Sequence, residues 1–152
     1  MTQATPAQIR AGIAAYITAH VTYTDGSGKS QPLRTLTDGG DLPSPPVAVV
    51  LPSNGPYADY EVALGGQVLA ATYQFRLLIL VSRASTREGT IILDGLLSHR
   101  GGSSIVQALA NDPTCAGAAD FVVAKQSSWH GQSEWFGESF MAGEMVLEAA
   151  AE

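Results

Sequence analysis

The amino-acid sequence predicts an α+β fold: a mainly antiparallel β-sheet flanked by helices, in the order α-β-β-β-α-α-β-β. Three observations carry this expectation. Near the start, Ile9, Ile13 and Ile17 recur every four residues, which places them on one face of a helix. Residues 71–83 and 136–149 alternate with the period of a strand. The remaining helical patterns lie together between those two strands, and strands and helices that segregate in sequence point to α+β rather than to alternating parallel units.

The first helix has Thr5 as its N-cap and Pro6 at its first position, where the missing N–H costs nothing. Its apolar stripe, with Tyr16 beside it, fades near His20 and Val21. From residue 22 to 45 the pattern dissolves into a long loop. TDGSGKS, TDGGD and LPSPP are dense in turn-forming Gly, Asp, Ser and Pro, leaving room for one short strand near residues 33–36. Loops this long are usually functional or disordered. In an assembly protein, such a loop orders against partner subunits.

Residues 47–51 read as a short buried strand between Pro46 and Pro52, 53–57 as a turn, and 60–64 as a second strand closed by Gly65 and Gly66. The strongest strand, 71–83, puts Tyr73, Phe75, Leu77, Ile79 and Val81 on one face. Gln74, Arg76, Leu78 and Leu80 take the other, so its middle is covered on both sides. Ser85-Thr-Arg-Glu88 reads as a capping box opening a helix with Ile92, Leu93, Leu96 and Leu97 that ends at Gly101 and Gly102. Ser103 or Ser104 caps a short helix over 105–110, stopped by Asp112 and Pro113. Residues 119–125 form a strand and 126–135 a polar connection bearing Trp129 and Trp135. The closing strand, 136–149, carries Met141, Met145 and Leu147 on one face and Glu138, Glu144 and Glu148 on the other.

A chain of 152 residues fits a single domain, 1–152, and needs neither disulfide nor metal to fold. Charged residues are only 14% of the chain, against about 25% in an ordinary soluble domain. A surface so poor in charge suits a protein covered by partners. The net charge of −6 with only 8 Lys and Arg argues against duplex binding but suits a wall that DNA passes without sticking. The lone Cys115 has no nearby activating His. MTQATPAQIR lacks the layout of a signal peptide, and the longest apolar run, 77–81, is far too short to cross a bilayer. The expected setting is the cytosol during synthesis, with no membrane.

No pattern of chemistry emerges. His20, His99 and His130 have no His or Cys partner at ligand spacing, so no metal is expected. His99 near a helix C-terminus suits the dipole there. Gly28-Lys29-Ser30 ends like a phosphate loop, but Tyr23 stands where its first Gly belongs. No G-x-S-x-G elbow is present. The expectation is a structural subunit with no catalytic residue and no cofactor, rather than a small hydrolase or a host-directed binding module.

The succession of the strand 73–81 ending in VSRAS, the helix with Leu93-Asp94-Gly95-Leu96-Leu97-Ser98, then Gly101-Gly102 and Ser104-Ile105, and a late Trp-plus-Gly turn into a long closing strand resembles a known group. It resembles the neck and tail-completion proteins of long-tailed phages, in particular the tail terminators of actinobacteriophages, over roughly residues 5–149. The resemblance implies a β-sheet flanked by helices and a homo-oligomeric, six-fold ring on the head-proximal end of the tail tube. Such a ring ends tube polymerisation and joins tail to head. Its partners would be the tail tube protein and head–tail connector proteins, with genomic DNA passing through the lumen. The nearest alternative is a connector or stopper subunit of the neck.

A ring needs two different, complementary patches. Arg76, Arg83, Arg87 and Arg100 face only Glu88 and Asp94 within their stretch of sequence, while Glu134, Glu138, Glu144, Glu148 and Glu152 follow the last lysine. The basic strand–helix corner of one subunit is therefore expected to meet the acidic strand of its neighbour, with Trp129 and Trp135 as further interface candidates. The competing account is that the arginines pair within their own subunit.

Overall fold

The computed structural model describes residues 4–152; the three residues before Ala4, part of the stretch read for a leader, lie outside it. Helix α1 (Pro6–His20) begins at Thr5, whose hydroxyl accepts from the Gln8 N–H while the Gln8 side chain accepts from the Thr5 N–H. This reciprocal pair satisfies two backbone donors that a helix start otherwise leaves orphaned. Ile9, Ile13 and Ile17 are fully buried. No helix among the described residues is long and apolar enough to cross a membrane.

Residues 22–45 are not a bare loop. Strands β1 (Thr22–Thr24) and β2 (Ser30–Pro32) form a small hairpin, and β3 (Arg34–Leu36) runs parallel to β4 (Val47–Pro52). The Asp25 carboxylate shapes the hairpin turn by accepting from Ser27 and from the Lys29 N–H. The Thr35 N–H donates to Thr18 Oγ1 at 3.0 Å, fastening β3 to α1. Strands of three residues are too short to show a period of two, which is why this stretch reads as loop.

The main sheet has the order β3-β4-β6-β8-β7, built on β6 (Val68–Ser82), β8 (Glu138–Ala151) and β7 (Phe121–Trp135). Its other pairings are antiparallel. Along one edge, β6 pairs first with β5 (Ala58–Val62) and then with β4; along the other it pairs with β8. The polar stretch 126–135 is therefore not a connection but the second half of β7. Register shifts at Ala124/Gln126 and Trp129/Gly131 break its alternation and hide the strand from the sequence pattern. The turn into β8 is Phe136–Gly137, both at positive φ, as a tight two-residue hairpin turn requires.

Three helices cover one face of the sheet. Helices α2 (Arg87–Leu97) and α3 (Ile105–Asn111) join α1 over Phe75, Leu77, Ile79, Met145, Leu147 and Val122. Tyr16 ties α1 to α3 by donating to the Ala108 carbonyl at 2.8 Å. Gly143 lets α2 sit directly on β8, since a Cβ there would lie 2.9 Å from Leu93 Cδ1. The N-cap of α2 is Thr86, which accepts from the Gly89 N–H, rather than Ser85. Ser85 donates instead to Gln132, and Glu88 reaches across to the β1–β2 turn at Gly26. Helix α2 ends at Leu97, short of the glycines: Ser98 is its C-cap in extended backbone, with its hydroxyl placed to donate to the Gly95 or the Arg100 carbonyl. Ser104 caps α3.

The opposite face is only partly covered. Val47, Leu78, Leu80, Phe140 and Ala142 form a second, smaller cluster under Leu36, Leu42, Leu51 and Trp135. Phe136 packs against Gly39, so the β7–β8 turn meets the segment between β3 and β4.

Candidate assembly surfaces

The remainder of that second face is polar, and its charges meet one another across neighbouring strands. Arg76 on β6 places Nη1 3.6 Å from Glu144 Oε1 on β8. The same oxygen lies 3.2 Å from His130 Nε2 on β7, and the His130 ring packs against Trp135 with centroids 5.4 Å apart. One step along, Glu148 receives the Gln74 amide at 3.2 Å and lies 3.8 Å from Lys125 Nζ. At the far end, Arg83 hydrogen-bonds Glu138 and lies over the Phe140 ring, 5.3 Å from its centroid. Cross-strand pairing sets these contacts, because alternate residues of adjacent strands share a face.

The arginines and glutamates named from the sequence therefore divide. Arg76 and Arg83 have carboxylates on their own chain, and Glu138, Glu144 and Glu148 are each engaged by a cation of the same chain. For these residues the geometry follows the competing, intrasubunit account. Arg87 and Arg100 are exposed, and neither meets a carboxylate among the described residues. The tryptophans also divide: Trp135 is half-buried on the second cluster, with Nε1 donating to Ser133 Oγ at 2.7 Å, while Trp129 is 47% exposed.

A further surface escaped the sequence pattern. The hairpin of β5 and β6 carries Tyr60, Val62, Leu64, Val68 and Leu69, all at least 48% exposed and Leu64 fully so. Hydrogen bonds between Ala63 and Gln67 and a Gly65–Gly66 turn at positive φ give this arm a defined shape. Its signal in the sequence is an uncharged run from Val62 to Phe75. Apolar patches of this kind on folded proteins mark contact sites.

Among the described residues no cluster of His, Cys, Asp or Glu could hold a metal ion. A cleft of about 470 Å³ lies between Tyr23, Pro45, Arg83 and the start of α2. Its Asp25 has its carboxyl lowered to about 2, first by the Ser27 hydroxyl and then by the Lys29 N–H, which keeps it ionised as a turn anchor. Burial pushes the Cys115 thiol up to about 12, the reverse of an activated nucleophile. Compared with known proteins, the chain matches no protein family and no curated protein sequence.

Proposed function

We propose that the chain is a virion structural subunit, a tail terminator that forms a six-fold ring on the head-proximal end of a phage tail tube. In this reading it ends tube polymerisation, joins tail to head and uses no cofactor, with DNA passing its acidic surface. The β5–β6 arm is the observation that carries the reading: an apolar, hydrogen-bonded projection beyond the body suits a subunit that is covered on assembly. The α+β sheet flanked by helices agrees with the fold that the resemblance implies. It would be localised in the virion neck, after assembly in the host cytoplasm.

The test is to add the purified chain to polymerising tube protein and measure tube lengths by electron microscopy. A terminator shortens the length distribution in proportion to its concentration and appears as a cap at one end. Tubes of unchanged length, with the chain bound instead to connector rings, would move it to the stopper position; binding to neither would end the neck assignment.

A further inference from the structure

Two sets of exposed side chains among the described residues lie at opposite ends of the molecule. One is the β5–β6 arm, with apolar Tyr60, Val62, Leu64, Val68 and Leu69 and, on β5, the exposed acids Asp59 and Glu61. The other is the outer face of α2. Ile91 there is 60% exposed, Arg87 stands one turn before it, and His99 and Arg100 follow the helix end; exposed Asp94 shares this face, while Glu88, also exposed, turns toward Gly26. Arg87 occupies the first position of α2, the end where a helix disfavours a cation, so helix stability does not account for it.

The two sets are complementary in character: apolar side chains flanked by acids, and an apolar side chain flanked by bases. They cannot meet within one chain. Leu93 of α2 rests on Gly143, which lies opposite Ile79 on β6, whereas the arm leaves β6 at Val68. At about 3.3 Å per residue, roughly 35 Å of strand separates them. Two patches on opposite ends of a rigid strand produce a head-to-tail contact, which closes into a ring or runs on as a filament.

We infer that the β5–β6 arm of one copy of this chain docks on the outer face of α2 of the next, with Leu64 against Ile91 and Asp59 and Glu61 facing Arg87. The occupant is a second copy because the same chain supplies both halves. The flanking acids and the net charge of −6 disfavour an anionic lipid surface. The closure of the contact into a ring rests on the reading of the chain as a terminator; the contact itself does not.

The experiment combines a thiol ladder with a charge exchange. In the variant Leu64→Cys/Ile91→Cys, a short bis-maleimide should link copies into a ladder of multimers, whereas each single-cysteine variant should give no species above a dimer. Cys115 is buried and stays silent. Glu61→Arg and Arg87→Glu should each weaken self-association about tenfold, and the two together should restore it. A ladder without closed rings would keep the contact and remove the ring. Closed rings with no ladder, and with mass unaffected by either reversal, would overturn the contact and leave the ring standing. No ladder and no self-association would overturn both.

Discussion

Arg76 and Glu144 face each other diagonally across β6 and β8, with Nη1 and Oε1 3.6 Å apart and both side chains mostly shielded from solvent. Arg76 Nε is buried without a hydrogen-bond partner, so Glu144 is the counter-charge that makes the placement tolerable. Glu144→Ala strands the guanidinium and is expected to cost about 1–3 kcal/mol. The double variant Arg76→Met/Glu144→Leu is expected to recover most of that loss, because an apolar pair needs no counter-charge. Urea unfolding of the four proteins in this cycle measures the coupling.

Arg83 and Arg87 are predicted to behave differently although they lie four positions apart. Arg83 pairs with Glu138 on its own chain, and both side chains are about half exposed. Arg83→Glu should therefore cost about 0.2–1 kcal/mol of stability and leave oligomer mass unchanged. Arg87→Glu, with no carboxylate of its own to lose and a helix N-terminus that favours an acid, should not lower the stability of the isolated monomer but should reduce oligomer mass. Thermal unfolding and light scattering on the two variants separate these outcomes.

Gly143 is the point where α2 touches β8. A valine there would push on Leu93 at 2.9 Å and Leu97 at 3.2 Å. Gly143→Val is expected to destabilise the fold by about 1–3 kcal/mol through overpacking, read as a lower urea midpoint. Gly143→Ala should cost less.

Cys115 predicts an alkaline limit. An unfolded thiol ionises near its ordinary value of 9.0, whereas burial holds the folded thiol neutral until about 12. Above pH 9 the unfolded state loses a proton that the folded state keeps, so the stability present below pH 9 falls as pH rises toward 12. Cys115→Ala should remove this part of the alkaline loss, measured as a shallower slope of unfolding free energy against pH. In the native wild type the thiol should react with a water-soluble thiol reagent only as fast as the protein opens.

The long, regular elements were legible in the sequence because their side chains repeat. Ile9, Ile13 and Ile17 declare α1, and Phe75, Leu77 and Ile79 declare the core face of β6. What was hidden had no repeat to show. The second half of β7 is interrupted by bulges near Lys125 and His130, so its residues leave the period of two. β1, β2 and β3 are fixed by turns and by Thr18 rather than by their own pattern. Charge alone does not show pairing: the run of glutamates after Lys125 reads as a surface strip, and register places Glu138, Glu144 and Glu148 beside cations of the same chain. The exposed arm was missed because uncharged side chains beside a Gly-Gly turn look the same whether they face a core or a neighbour.

The proposed assembly joins unlike patches of this chain into a closed ring. Native mass spectrometry of the purified chain tests it most directly. The expected result is one discrete species at six times the subunit mass, collapsing toward monomer in Leu64→Asp while that variant keeps its folded circular-dichroism spectrum. A wild-type chain that is monomeric at every concentration, or a two-fold dimer unaffected by Leu64→Asp, would contradict it.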